Sequence, residues 1–467
     1  MSESHAEKSI FMNRPTFLHK GEPARLFPVL ADSSKEGRAL SIFLACFAHV
    51  PEFGRALMTS LGQRTGTRTR FRVFTEVEFA GNGGKNNRPD GILIVENGRS
   101  SWSALIEAKI GNAELTTEQL SAYCEIAKAN GIDTIITISN QFAPLPTHHP
   151  LKLPASVRKK VEIFHWSWMY LLTQASLLIE NEEIADDTQR VILQEFIRFL
   201  SHESTGAKSF TSMPAEWPEI AAKIHAGGAV KQSAEEVKDV VGAWHQELRD
   251  LSLILTRQLK TEVKVRIPRK HAADPQLRLK EDVATLCREN RLEACFQIPA
   301  AAAPLDLVAD VKARSITTSM RLRAPEDKKS TKARLSWLLR QIGKAELPAT
   351  HIRLYWPGRG GATQYALDAL RENADIALPD RKEIAPHTFE IIHVCDLGAR
   401  FTQRKNFISD LESAVPAFYE QIGQYLKAWQ PSAPRMPEDR ASKKDVEPAV
   451  IAEEMAADIA EGQSAGE

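Results

Sequence analysis

Leu105-Ile106-Glu107-Ala108-Lys109-Ile110 has the composition of a short buried strand, yet it carries a carboxylate and an ammonium two residues apart. Successive side chains of a strand point to opposite faces. Leu105, Glu107 and Lys109 therefore share one face, while Ile106, Ala108 and Ile110 fill the other. Burying charge is costly unless it is paired, so one face reads as core and the other as the face that presents chemistry.

Upstream, Arg88-Pro89-Asp90-Gly91-Ile92-Leu93-Ile94-Val95 is an aliphatic, β-branched run led by an aspartate, and Glu96-Asn97-Gly98-Arg99 reads as a hairpin turn. A turn centred between Gly98 and Arg99 sets Asp90 opposite Glu107. One centred between Asn97 and Gly98 sets it opposite Leu105, on the same face. Either register brings the two carboxylates together. Hard oxygen ligands of this kind hold a magnesium ion that also binds a substrate phosphate, with Lys109 to neutralise or orient. Downstream, Leu115 to Asn130 has helical periodicity and puts Gln119 and Tyr123 on one face at i, i+4.

In this order, Pro89-Asp90, Glu107-x-Lys109 and Gln119-x-x-x-Tyr123 resemble the PD-(D/E)xK nuclease superfamily in its RecB-like branch, over roughly Glu36 to Ser201. The resemblance implies a restriction-endonuclease-like α-β-β-β-α-β core. It also implies that Asp90 and Glu107 hold Mg²⁺, with Mn²⁺ as a substitute, together with the carbonyl of Ala108. By the same resemblance Lys109 polarises the scissile phosphate or orients the attacking water, and Gln119 and Tyr123 position the strand. An acidic residue on the helix before the sheet often joins the metal site in that family. Glu36 is the matching position, although a glutamate in a first helical turn also complements the helix dipole. Glu76 and Glu78, on the strand Phe71 to Phe79, are further candidates to reach the metal.

The implied activity is divalent-metal-dependent hydrolysis of DNA phosphodiester bonds, in defence against foreign DNA or in repair. The competing class is a non-catalytic nucleic-acid-binding or regulatory protein that keeps a nuclease-like fold. A purely structural reading of the same residues also stands. In it Glu107 and Lys109 are a salt-bridged pair on a solvated face, and Gln119 and Tyr123 are an ordinary polar pair on an amphipathic helix.

A chain of 467 residues holds two or more domains at the usual size of about 100–200 residues. Residues 1–34, with Pro15, Pro23 and Pro28 spread through them, read as an irregular lead-in. Residues 35–203 read as the nuclease-like α/β domain. It comprises a helix from Lys35 to Val50, the strands around Asp90 and Glu107, the Gln119 helix, strands at Asp133 to Ile138 and Val161 to Trp166, and two closing helices. His148-His149 read as exposed loop histidines rather than ligands. Residues 204–232, rich in Ser, Gly, Ala and Pro, read as a linker. A second, α+β domain follows over 233–430, with helices at Ala234 to Lys260, Thr363 to Asn373 and Arg404 to Trp429, and a strand at Thr261 to Pro268. Residues 431–467 carry 4 Lys/Arg against 9 Asp/Glu and read as a disordered acidic tail.

Formal charge balances at zero, so no global field attracts nucleic acid. Between Arg257 and Lys344, however, 20 Lys/Arg face 10 Asp/Glu, a bias suited to phosphate backbones. The resemblance makes DNA the expected partner, and this domain is also where a homodimer or protein contact would form. A solvated or acidic-partner face accounts for the same bias. Five cysteines, scattered and without metal-ligand spacing, read as reduced thiols. No apolar segment follows the polar stretch Met1 to Lys8, and Leu40 to Val50 falls short of the roughly 20 residues that span a bilayer. A cytoplasmic protein without a membrane segment is the expectation.

Overall fold

In the computed structural model, the short apolar segments around Glu107 assemble into a six-stranded sheet. The structure describes residues 17–31, 34–79, 88–98, 100–151, 161–358, 361–378 and 384–431, with Pro15, Pro154 and Ala452. In chain order the elements are β1 (Leu18–Pro23), α1 (Lys35–His49), α2 (Pro51–Ser60), β2 (Arg70–Phe79), β3 (Gly91–Asn97), β4 (Ser100–Ala108), α3 (Thr117–Ala129), β5 (Thr134–Ser139), β6 (Glu162–Ser167), α4 (Trp168–Glu180) and α5 (Asp187–Ser201). The strands lie side by side in sequence order. β1 to β4 are antiparallel, and β5 and β6 add parallel to β4. A parallel addition needs a crossover, and α3 supplies it between β4 and β5. From α1 to β5 the elements run α-α-β-β-β-α-β, the expected order with a second helix, α2, before the sheet.

Pairing of Asn97 with Ser100 and of Ile92 with Leu105 centres the hairpin between Gly98 and Arg99, the first of the two registers. Gly98 has φ +64°, a conformation that glycine adopts without steric cost. One step beyond the Gly91–Ile106 pair, this register sets Asp90 opposite Glu107. The two faces separate as expected. Leu105 packs with Ile92, Ile94 and, on α3, Leu120 and Tyr123. Ile106 and Ala108 pack with Phe43 and Phe47 of α1 and Trp168 of α4. The face that carries Glu107 is therefore roofed by α3 and not left to solvent.

Strand β1 lies in the stretch expected to be irregular. Leu18 is buried and pairs with Phe79, and the strand sits at the sheet edge, where a proline such as Pro23 removes no ladder bond that the interior needs. The paired histidines also differ from expectation. His148 is buried, with Nε2 2.8 Å from the Ala272 carbonyl oxygen, and His149 Nε2 lies 3.0 Å from the Thr137 hydroxyl.

Residues beyond 201 form α6 (Trp217–His225), α7 (Glu235–Leu259), β7 (Lys264–Val265), α8 (Arg269–Ala273), α9 (Pro275–Glu289), β8 (Arg291–Gln297), β9 (Leu305–Asp310), β10 (Ser315–Arg323), α10 (Thr331–Gln341), β11 (Thr350–Tyr355), β12 (Ala362–Ala366), α11 (Leu367–Glu372), β13 (Thr388–Asp396) and α12 (Arg404–Gln421). Their strands make a seven-stranded antiparallel sheet in the order β12-β11-β13-β10-β9-β8-β7. The architecture is thus mixed α and β with two sheets.

Three expectations change here. The stretch read as a linker contains α6, because Met213, Trp217, Ile220 and Ile224 give it an apolar stripe. Trp217 is fully buried, and its indole N–H donates to the Phe401 carbonyl at 2.9 Å. The helix expected over 363–373 begins instead as β12, since Thr363 and Tyr365 suit a sheet edge and pair with Leu354 and Ile352. The helix expected to reach Trp429 ends at Gln421. It gives way to a short 3₁₀ turn at Gly423, where any β-carbon would collide with the Tyr419 ring at 2.6 Å.

Helix α7 belongs to both cores. Val240, Trp244, Leu248 and Leu251 pack with the seven-stranded sheet, whereas Leu253 packs among the helices of the six-stranded one. The Gln246 side chain accepts the Phe142 N–H at 3.1 Å, and Asp250 accepts the Phe210 N–H at 2.6 Å. Met1–Trp429 accordingly forms one compact unit; the expected acidic tail lies almost wholly outside the described residues. Among the described residues no single helix is long and apolar enough to cross a membrane.

Candidate active site

Glu107 sits near the end of β4, and α3 crosses above it. The Thr116 hydroxyl caps α3 by accepting the Gln119 N–H at 3.2 Å, which fixes the first turn over the strand. From there Gln119 donates its side-chain N–H to Glu107 Oε1 at 2.6 Å and to the Tyr123 hydroxyl oxygen at 3.1 Å. The Tyr123 hydroxyl in turn donates to the Arg88 carbonyl at 3.0 Å, tying α3 to the segment that enters β3. Asp90 Oδ2 accepts the Ala108 N–H at 2.9 Å, so Asp90 closes the hairpin end beside Glu107.

Lys109 Nζ lies 2.7 Å from Glu107 Oε1 and 3.6 Å from Glu36 Oε2. Its own backbone is fixed on both sides. The Lys109 N–H donates to Ile138, and its carbonyl accepts the Trp168 indole N–H at 2.8 Å. Glu36, Asp90, Glu107, Lys109, Gln119 and Tyr123 thus converge. Of Ala108, wholly buried, the N–H is the group engaged here.

The electrostatics are strained. Glu107 is 1% exposed, and its Oε2 has no hydrogen-bond partner. Burial, and then the charge of Glu107, push the Asp90 carboxyl up to about 8; the Ala108 N–H and Lys109 offset this only in part. Burial alone would lower the Lys109 pKa, but Glu107, then Asp90 and Glu36, outweigh it and hold the ammonium above its usual range. Tyr123 is pushed above the phenol range by burial first and by Glu107 second, so it stays a neutral donor. Among the described residues no three His, Cys, Asp or Glu side chains are arranged to hold a metal by themselves.

A cleft of about 990 Å³ opens at this point, lined by Glu36, Asp90, Glu76, Arg88, Lys20, Asn112 and Lys208. Glu76, in the left-handed region at φ +50°, donates its N–H to the Asp90 carbonyl at 2.9 Å. Its side chain lies 3.8 Å from Lys20, whereas Glu78 pairs with Arg88 at 3.0 Å. Sequence reasoning missed Lys20, Asn112 and Lys208. Lys208 Nζ donates to Asn112 at 2.8 Å across nearly a hundred residues, and such a contact leaves no local signal. Beneath them Gly206, at φ +84°, accepts the Gly111 N–H at 3.0 Å, and Asn140 donates to both glycine carbonyls.

No protein-family model matches this chain, and no curated protein matches it either. The chemistry of the site is therefore argued from its own geometry.

Proposed function

We propose that the chain is a divalent-metal-dependent nuclease of the PD-(D/E)xK type, with a restriction-endonuclease-like core, that hydrolyses phosphodiester bonds of DNA. One observation carries the reading: Glu107 Oε2 is buried without a partner beside a second, half-buried carboxylate, Asp90. A buried carboxylate oxygen left unsatisfied is costly, and native structures rarely keep one without a reason. The donor set fits Mg²⁺, which takes one or two carboxylates and leaves its other positions to waters and a substrate phosphate. Asp90 and Glu107 would hold the ion, with Glu36 or Glu76 at the cleft wall as the next acidic groups. When bound, such an ion activates water as a nucleophile and offsets charge on the phosphate in the transition state.

The chain's own residues do the rest. Gln119 and Lys109 both engage Glu107 Oε1, which leaves Oε2 free for the ion. Lys109, kept charged by Glu107, Asp90 and Glu36, would stabilise negative charge on a phosphate held by the ion. Lys20, Arg88 and Lys208 line the cleft and would meet the flanking phosphates. Glu107→Gln tests the reading on a panel of linear, circular, single- and double-stranded DNA with Mg²⁺. Cleavage should fall about 100-fold or more, as loss of a ligand exceeds the 10- to 100-fold cost of losing a supporting partner. Undiminished cleavage by the purified variant overturns the assignment. Failure of the unaltered protein to cut any substrate returns the chain to the class of binding modules.

A further inference from the structure

Far along the chain, α10 carries a second concave surface whose chemistry the cleft at Asp90 does not use. Leu335 and Leu338 are buried and pin one stripe of the helix to the core. The opposite stripe, with Lys332, Trp337, Arg340 and Gln341, borders a groove of about 540 Å³. Lys328 enters from the loop before the helix, and Lys427 from the segment after α12. None of the lining residues is acidic, and the two cavities share no residue.

The groove is built, not incidental. Ser330 caps α10 by accepting the Ala333 N–H at 3.2 Å. Gln341 accepts the Lys427 N–H at 2.6 Å and donates to the Trp337 carbonyl at 3.2 Å, so one side chain fixes the second wall against the first. Lys332 and Arg340 stand two helical turns apart, about 12 Å along the axis. Lys332 pairs with Asp375 at 2.8 Å and Lys328 with Asp327 at 3.8 Å, both solvent-exposed pairs that a phosphate can replace. Among the described residues Arg340 and Lys427 have no carboxylate at ion-pair distance. Trp337 is half-buried, with part of its indole packed on the core and part open to the groove.

Cations that track a backbone beside an aromatic face are the two parts of a site for unpaired nucleic acid, because a base can stack only when it is out of the duplex. We propose that this groove binds a single strand, with phosphates on Lys328, Lys332, Arg340 and Lys427 and a base against Trp337. The inference rests on the reading of the chain as a protein that handles nucleic acid. It adds a holding site to the cutting site, one suited to a strand that has been unpaired.

The test uses the full chain carrying Glu107→Gln in a chelator, so that cutting is suppressed. Its ligand is a fluorescent oligothymidine of about fifteen nucleotides, followed by anisotropy over a range of salt. Each phosphate contact on a single strand contributes about 0.7 to the salt slope. Adding Lys332→Ala and Arg340→Ala should therefore flatten the slope by about 1.4 and weaken binding at least tenfold. Both positions are exposed, so the fold survives their loss. Trp337→Ala should weaken binding about tenfold, the worth of one stacked base, and Trp337→Phe should restore most of it. Unchanged affinity and slope in the double variant overturn the proposal, as does stronger binding of polyglutamate or duplex DNA than of the oligothymidine. Failure of the nuclease reading is separable: an uncut strand still held through the groove keeps the groove, whereas a cutting protein whose groove variants bind normally loses only the groove.

Discussion

Replacing Asp90 by asparagine should make the metal-free protein more stable, and the gain should depend on pH in a defined way. The carboxyl of Asp90 is held at about 8 in the fold against 3.8 for a free aspartate, by burial first and by Glu107 second. A carboxyl raised by folding binds protons better in the native state. The stability it allows is thus complete below about pH 4 and is lost as pH rises towards 8. At about 1.4 kcal/mol per pH unit, the aspartate costs the fold roughly 4 kcal/mol by pH 7. Asparagine has no such charge, and its side-chain oxygen can accept the Ala108 N–H in a neutral bond, as the protonated aspartate does. The net expectation is a gain of roughly 4 kcal/mol at pH 7 and none near pH 4. Denaturant melts in a chelator at several pH values measure it. Added Mg²⁺ should then stabilise the unaltered protein, by about 2.7 kcal/mol at a hundred times its Kd, and leave Asp90→Asn nearly unmoved. A variant that is less stable than the parent across the whole range, or a gain that does not change with pH, refutes the account.

Two other substitutions probe the surroundings. Gly206→Ala puts a β-carbon at φ +84° and 3.1 Å from the Gly111 backbone; it should cost about 1–2 kcal/mol in a melt from the left-handed conformation alone, and cleavage should fall with it as Asn112 shifts. Equal stability would mean that the two loops are not clamped. Between α7 and α12, burial and then Asp250 and Glu412 push the Glu247 carboxyl well up, and neither of its oxygens has a partner. By the same sign Glu247→Gln should stabilise the protein at neutral pH and do little near pH 4; parallel pH profiles of the two proteins would show that Glu247 does not titrate between native and unfolded states.

Much of the candidate site is written in short-range pattern. Glu96-Asn97-Gly98-Arg99 marks the turn but leaves two registers open, and parity alone puts Asp90 and Glu107 on one face in either. The i, i+4 spacing of Gln119 and Tyr123 does the same for the helix above them. What could not be read is set by partners distant in the chain. Leu18 becomes a strand because Phe79 is there to receive it, and Trp217 becomes an anchor because Phe401 and Phe407 surround it. Composition misled where a few large side chains outweighed many small ones, as in the serine- and glycine-rich stretch that turned into α6. The roof over Glu107 is of the same kind, since periodicity gives a helix its apolar face but not the sheet that face will cover.

The shared helix α7 also sets a timetable for synthesis. Helix α4 packs along α7, and Arg257 at the far end of α7 donates to Thr173 of α4. A chain emerging from the ribosome therefore completes every strand of the first sheet while one flank of its helical layer still waits for Leu253. At about 5–20 residues per second, the stretch from Ser201 to Leu259 takes on the order of several seconds to arrive. During that interval the apolar flank that Leu253 covers in the finished fold has no cover, and exposed apolar surface of this kind is prone to aggregate.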